Sequence, residues 1–187
     1  MKSRYTRLND AELFQVFKGT AEEKREAFME IYSRYSQKLY MYCLRMTGNA
    51  DAANDVFQET FTRFFNHQFR DNIVLNLQAY LLTSARNVFL NSQRNTSRWS
   101  PFENDEFSAP TVPYEREELF NMVSSALELL DVPYREAFIF RFYQGLSYKE
   151  ISEITGDSVA SLKVRVMRAK DQIRHILSPY IADLDKY

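Results

Sequence analysis

The chain has 187 residues, with 24 Lys plus Arg against 25 Asp plus Glu for a formal net charge of −1, and 45% of its residues are hydrophobic and 15% aromatic. That is a soluble, folding composition, long enough for one ordinary domain or two small ones, and it disfavours nucleic-acid binding by bulk positive charge. The single cysteine, Cys43, excludes an intramolecular disulfide and a Cys-rich zinc site, and the longest apolar run, Leu39 to Leu44, is far short of a membrane span.

From the N-terminus, Asn9 or Asp10 can cap a short helix that stops at Gly19, and Thr20 with Glu23 has the spacing of a capping box. Phe28, Ile31, Tyr32, Tyr35, Leu39, Tyr42 and Met46 recur at helical spacing until Gly48, so Cys43 falls on a long amphipathic helix and reads as a buried structural thiol. Asn49 or Asp51 restarts the chain as a third helix with the apolar stripe Ala52, Ala53, Val56, Phe57, Thr60, Phe61 and Phe64. Residues 66–76 have loop character, and Leu77, Tyr80, Leu81, Ser84, Ala85, Val88 and Phe89 form the stripe of a fourth helix.

Three of the five prolines, Pro101, Pro110 and Pro113, fall in a stretch rich in Ser, Asn and acid that reads as a flexible linker over 95–118. It separates a front domain, 1–94, from a back domain, 119–187. Behind it, Leu119, Met122, Val123, Ala126, Leu127 and Leu130 mark another helix, and Pro133 suits the first turn of the next. No segment reads as a strand. The expected fold is all-α, with two small helical domains joined by an acidic tether.

Ser147 and Glu150 make a second capping box before a short helix with Ile151 and Ile154 inward, which ends at Thr155, Gly156 and Asp157. Ser158 can cap the following helix, where Leu162, Val166, Ala169 and Ile173 share one face. Two helices joined by a short Gly-containing turn form a helix-turn-helix, whose second helix enters the major groove. At about 100° per residue, Ala160, Val164 and Met167 point away from Leu162, flanked by Lys163 on one side and Ser161 and Arg168 on the other. Lys163, Arg165, Arg168, Lys170 and Arg174 face one acid, Asp171, between residues 158 and 174. A nearly neutral chain therefore carries a basic helix at the place where DNA contact is expected.

With both segments in view, the chain resembles the extracytoplasmic-function subfamily of bacterial RNA polymerase sigma factors. The run NADAANDVFQETF at 49–61 is similar to the polymerase-binding motif of sigma region 2, and AYLLTSARN at 79–87 to its promoter-melting segment. REAF at 135–138, GLSYKEI at 145–151 and LKVRVMRAK at 162–170 are similar to region 4. Three departures stand out: Tyr80 holds a position usually occupied by Trp, Asn91 one that is usually acidic, and Val164 one where the family often has Ser.

The resemblance implies core RNA polymerase and promoter DNA as partners, with an anti-sigma factor, by family habit, as a separate protein. Asp55, Gln58 and Glu59, at i, i+3 and i+4 on one helix face, would grip the polymerase clamp. His67, Phe69, Arg70 and Asn72 in the loop, with Tyr80, Arg86 and Asn87 on the next helix, would hold the minus-10 strand; Phe69 can equally be a core residue. Ser161, Lys163, Val164, Arg165, Met167 and Arg168 would meet the minus-35 duplex, where Val164 and Met167 could touch thymine methyl groups. The acidic linker would thread toward the polymerase interior or serve as a plain tether.

No catalytic activity, cofactor or metal is expected: the only histidines, His67 and His175, lie in different domains, and no phosphate-binding loop, nucleophile elbow or metal-ligand cluster is present. The compartment expected is the cytoplasm. The alternative is a helix-turn-helix regulator acting without polymerase, which leaves the Asp55, Gln58 and Glu59 face without a role.

Overall fold

The structure is a computed structural model that describes residues 4–69, 74–95 and 122–184. All regular structure among them is helical, and no helix is long and apolar enough to cross a membrane. The chain divides into two compact units. Of the described residues, one comprises 4–44, 51–69 and 74–95, the other 45–50 and 122–184.

The first unit is built from α1 (Asp10–Phe17), α2 (Ala21–Thr47), α3 (Ala50–Asn66) and α4 (Leu77–Asn95). Asn9, not Asp10, caps α1: its Oδ1 accepts from the Glu12 amide at 3.0 Å while the Glu12 carboxylate accepts from the Asn9 amide at 2.9 Å. Thr20 and Glu23 make the same reciprocal pair before α2. Each helix then buries one stripe. Leu13, Phe14 and Phe17 of α1, Ala27, Ile31, Leu39, Tyr42 and Cys43 of α2, Ala53, Val56, Phe61 and Phe64 of α3, and Leu77, Leu81, Ala85 and Phe89 of α4 are all buried. Burial pushes the Cys43 thiol up to about 12, so it stays protonated and unreactive at neutral pH.

Because Asn9 does the capping, Asp10 is released for a longer reach. Its Oδ1 accepts from the Tyr35 hydroxyl on α2, and its Oδ2 accepts from the Leu77 amide at 2.8 Å, the first amide of α4. One carboxylate thus ties α1, α2 and the start of α4 together and satisfies an orphan donor at a helix N-terminus. Burial first, and then this hydrogen bond, hold the Tyr35 phenol above the usual tyrosine range. Arg34 fastens the N-terminal segment to α2 in a similar way. Its Nε donates to buried Glu30 at 2.8 Å, while Nη1 and Nη2 donate to the carbonyls of Leu8 and Tyr5.

The second unit contains α5 (122–128), α6 (Val132–Phe138), a π-helical turn (Ile139–Tyr143), α7 (Tyr148–Thr155) and α8 (Val159–Leu184). Ala126, Leu127 and Leu130 pack on Ala169, Ile173 and Leu177, so α5 covers the second half of α8. Ile151 and Ile154 of α7, with Leu162 and Val166 of α8, are buried as their spacing requires. The π turn inserts one extra residue into the helix after Phe138, marked by the Gln144 amide donating to the Ile139 carbonyl at 3.0 Å. The α8 helix also continues through Pro179, beyond the part legible from its stripe, at the cost of one amide donor.

Ser147 opens α7 with the expected box: its hydroxyl accepts from the Glu150 amide at 3.3 Å, and the Glu150 carboxylate accepts from the Ser147 amide at 2.8 Å. The Ser147 hydroxyl, and then its amide, hold the Glu150 carboxyl below the usual range. A lowered acid stabilises the fold above its unfolded pKa, and the contribution is lost as pH falls through the folded value.

Ser147→Ala is therefore expected to cost about 1 kcal/mol near neutral pH, and the deficit should shrink below about pH 4; urea unfolding followed through the Ile151 and Ile154 methyl resonances measures it. Asp10→Asn turns an amide donor toward either the Leu77 amide or Tyr35 and should cost about 1–3 kcal/mol. Faster hydrogen exchange at the Leu77 amide would locate that loss at the start of α4.

Candidate nucleic-acid interface

The helix-turn-helix begins with α7, whose last turn closes on Gly156 at φ 78°, in the left-handed region that a side chain resists. The turn is fastened from several sides. The Ser152 hydroxyl donates to the Asp157 carbonyl at 2.6 Å, and the Asp157 amide donates to Thr155 Oγ1 at 3.2 Å. The Ser158 hydroxyl accepts from the Ser161 amide at 3.1 Å and so caps α8. Arg165, two turns along α8, closes a bidentate pair on the turn: Nη1 and Nη2 donate to the two carboxylate oxygens of Asp157 at 2.5 and 2.9 Å. Both of those side chains are partly buried.

Burial of Leu162, Val166, Ala169 and Ile173 turns the opposite face of α8 to solvent. Val164 is 44% exposed and Met167 55% exposed, and Ala160 is also exposed. On the flanks Lys163, Arg168 and Lys170 are exposed, while Ser161 is half-buried. The Lys170 ammonium lies 5.3 Å from the Phe142 ring centre and the Lys163 ammonium 6.0 Å from that of Tyr148. Arg168 reaches the Tyr134 hydroxyl at 3.4 Å, a weak bond that leaves its charge facing water. Asp171, in line with Val164 and Met167, pairs with Arg174 at 3.0 Å. The outward face is therefore apolar along its centre and basic along its edges. Of the six residues read from the sequence as minus-35 contacts, Arg165 alone has its guanidinium committed to a carboxylate.

In the first unit, burial of Ala52, Ala53, Val56, Thr60, Phe61 and Phe64 leaves Asp55 and Gln58 exposed on one side of α3. Glu59 is half-buried and accepts from Arg63 at 2.6 Å, one turn further on. Its charge is partly balanced within the helix, whereas Asp55 makes no ion pair among the described residues.

The residues around the loop after α3 separate into two groups. Phe69 is only 9% exposed and packs edge-on against Phe14, with ring centres 4.8 Å apart, and also meets Phe17, Phe64, His67 and Tyr80. Of its two possible roles the core one is realised, because the ring fills the space between α1 and α4 and supports the foot of the loop. His67 lies exposed against it, with ring centres 4.4 Å apart. Tyr80 and Arg86 are half-buried and Asn87 is exposed on α4. Burial raises the Tyr80 phenol above its usual range, which keeps it a neutral hydrogen-bonding group. Arg70 and Asn72, like the linker beyond Asn95, lie outside the described residues.

Sequence spacing did not reveal three contributors. Asp10 holds the start of α4, Asp157 holds Arg165, and Tyr148 lies beside Lys163 at the edge of the recognition face. Each acts across a turn or between helices, where periodicity carries no signal. Among the described residues no group of His, Cys, Asp and Glu could hold a metal ion.

Comparison with known proteins matches two families along the chain. The family described as Sigma-70 region 2 matches residues 31–98, and that described as Sigma-70, region 4 matches residues 120–173. The ECF RNA polymerase sigma factor EcfG of Rhodopseudomonas palustris is 32% identical over 143 residues, covering 74% of this chain and 78% of that protein. The ECF RNA polymerase sigma factor SigM of Bacillus subtilis is 27% identical over 159 residues, covering 82% of this chain and 97% of that protein. The fold is similar to that of the sigma factor RpoE of Bartonella quintana, crystallised with the anti-sigma factor NepR, at a TM-score of 0.60 and 20% identity over 85% of this chain and 98% of that one. With the capped helix-turn-helix and both sigma regions present in order, this chain belongs to the extracytoplasmic-function family of RNA polymerase sigma factors.

Proposed function

We propose that this sigma factor recruits core RNA polymerase through Asp55, Gln58 and Glu59, holds the minus-35 duplex with the outward face of α8, and stabilises the melted minus-10 strand beside α4. The observation that carries the reading is the outward face of α8, where Lys163, Arg168 and Lys170 stand exposed and no acid intervenes before Asp171. Cations at the edges of a groove-filling helix meet the phosphates of both strands, and the residues between them meet the base edges.

On the first unit, an exposed carboxylate and amide at Asp55 and Gln58 suit a basic helical partner, with Glu59 completing the face. His67 and Asn87, both exposed, supply stacking and hydrogen bonding to an unpaired strand, with Tyr80 and Arg86 behind them. Arg70 and Asn72 belong to the same proposal, by position in the loop. Phe69 acts indirectly, by holding His67. Residues 1–94 act as the polymerase and minus-10 domain, 119–187 as the minus-35 domain, and the acidic linker joins them. The factor works in the cytoplasm without chemistry of its own: it lowers the free energy of the open promoter by binding it. An anti-sigma factor would act by covering these same faces.

A regulator that binds DNA without polymerase would use the second unit alike but has no use for the Asp55 face. Asp55→Arg separates the two: affinity for core polymerase should fall roughly tenfold or more, by replacing attraction with repulsion, while the affinity of the isolated chain for duplex DNA should not fall. Fluorescence anisotropy with core enzyme and with DNA measures both. Salt provides a further check. With about 3 to 4 phosphate contacts, from Lys163, Arg168, Lys170 and a neighbour such as Lys149, duplex affinity should drop about a hundredfold between about 50 and 200 mM salt. A flat response contradicts docking by this face.

A further inference from the structure

The central stripe of the recognition helix has no polar side chain with which to read a base. Ala160, Val164 and Met167 line up on the face opposite Leu162, and the next residue in that line, Asp171, is a carboxylate paired with Arg174. Val164 and Met167 are exposed at 44% and 55%, and the exposed residues flanking them, Lys163, Arg168 and Lys170, are all cations. They are three residues apart, an advance of about 4.5 Å along the helix, close to the roughly 3.4 Å between successive base pairs.

The one arginine near the start of α8 does not supply what the stripe lacks. A guanidinium reads guanine by placing two N–H donors on O6 and N7. In Arg165 the two terminal nitrogens already donate to the two oxygens of Asp157, at 2.5 and 2.9 Å, in the turn that sets the angle between α7 and α8. Freeing them would leave a partly buried carboxylate unpaired and release the turn. Arg165 is thus a positioning residue, and Lys163, Arg168 and Lys170, on the flanks, are set toward the strands on either side.

In the major groove, the distinctive apolar group on a base edge is the C5-methyl of thymine. We infer that Val164 and Met167 select thymine at two neighbouring minus-35 positions through its C5-methyl group, and that Arg165 fixes the turn rather than reading a base. This rests on the reading of α8 as the minus-35 helix.

The test can start from random DNA. Holoenzyme made from core polymerase and the full chain selects initiating promoters from a duplex library randomised in the minus-35 and minus-10 regions. The winners are then rebuilt with deoxyuridine in place of thymidine, which removes only the methyl group. The expected result is thymine at neighbouring minus-35 positions, with initiation falling about fourfold for each methyl removed there, the size of one lost apolar carbon. The same exchange upstream of the minus-35 element should change nothing. Val164→Ser and Met167→Ser, at exposed positions where folding can be checked by thermal melting, should each abolish the uridine effect at one position.

Winners without minus-35 thymine, or winners indifferent to uridine at those positions, would overturn the inference while leaving the minus-35 role of α8 intact. Failure to enrich any minus-35 sequence would overturn that role and the inference together.

Discussion

The apolar stripe of α8, Leu162, Val166, Ala169, Ile173 and Leu177, has to leave water, and that requirement aims every residue on the opposite face. Each large apolar side chain contributes about 1.5–3 kcal/mol when fully buried, so the stripe outweighs any preference the exposed residues have for another orientation. Rotating the helix by one residue would bury Lys163 and expose Leu162. The recognition face is in this sense a by-product of core packing against α5 and α7. The same holds for α3, where burial of Val56, Phe61 and Phe64 leaves Asp55 and Gln58 outward.

Polar contacts refine what burial has aimed. Asp10 joins α1, α2 and the first amide of α4 through one carboxylate, and Phe69 fills the space between those elements from the other end of the loop. Both feet of the loop after α3 are anchored to α1. In the second unit the Asp157 carboxylate has the corresponding place: it joins the turn to α8 through Arg165, while Gly156 supplies the left-handed residue that lets α7 end there. Function is assigned to side chains that these anchors leave outside.

Much of this is legible in the sequence, for a physical reason. Helix ends are local: Thr20 with Glu23 and Ser147 with Glu150 form their boxes within four residues, and the apolar stripes are written directly in the spacing. What escapes the sequence is either nonlocal or aperiodic. The sequence offers Asn9 or Asp10 as the cap of α1; Asn9 takes that place, and Asp10 reaches Leu77, 67 residues away. Arg165 sits among groove-facing residues by sequence, yet its partner Asp157 lies across the turn. The π turn at Ile139–Tyr143 shifts the phase of a helix by one residue, which no regular pattern announces. Phe69 suits either core or platform by sequence, and only the packing of α1 against it decides for the core.

The near-neutral charge of the chain also acquires a spatial meaning. Residues 158–174 carry five cations against one acid, residues 96–118 carry six acids against two cations, and Asp55 stands exposed on α3. Such a distribution gives weak general attraction to DNA but a strong local one once another molecule has brought the helix to the groove, as expected of a subunit that finds promoters together with polymerase. The most direct measurement is reconstituted initiation with purified core polymerase on the promoters selected from a random library. The account predicts promoter-specific transcripts that appear only when this protein is added. Transcript levels unchanged by the protein, together with tight binding of the protein alone to a palindromic duplex, would contradict it.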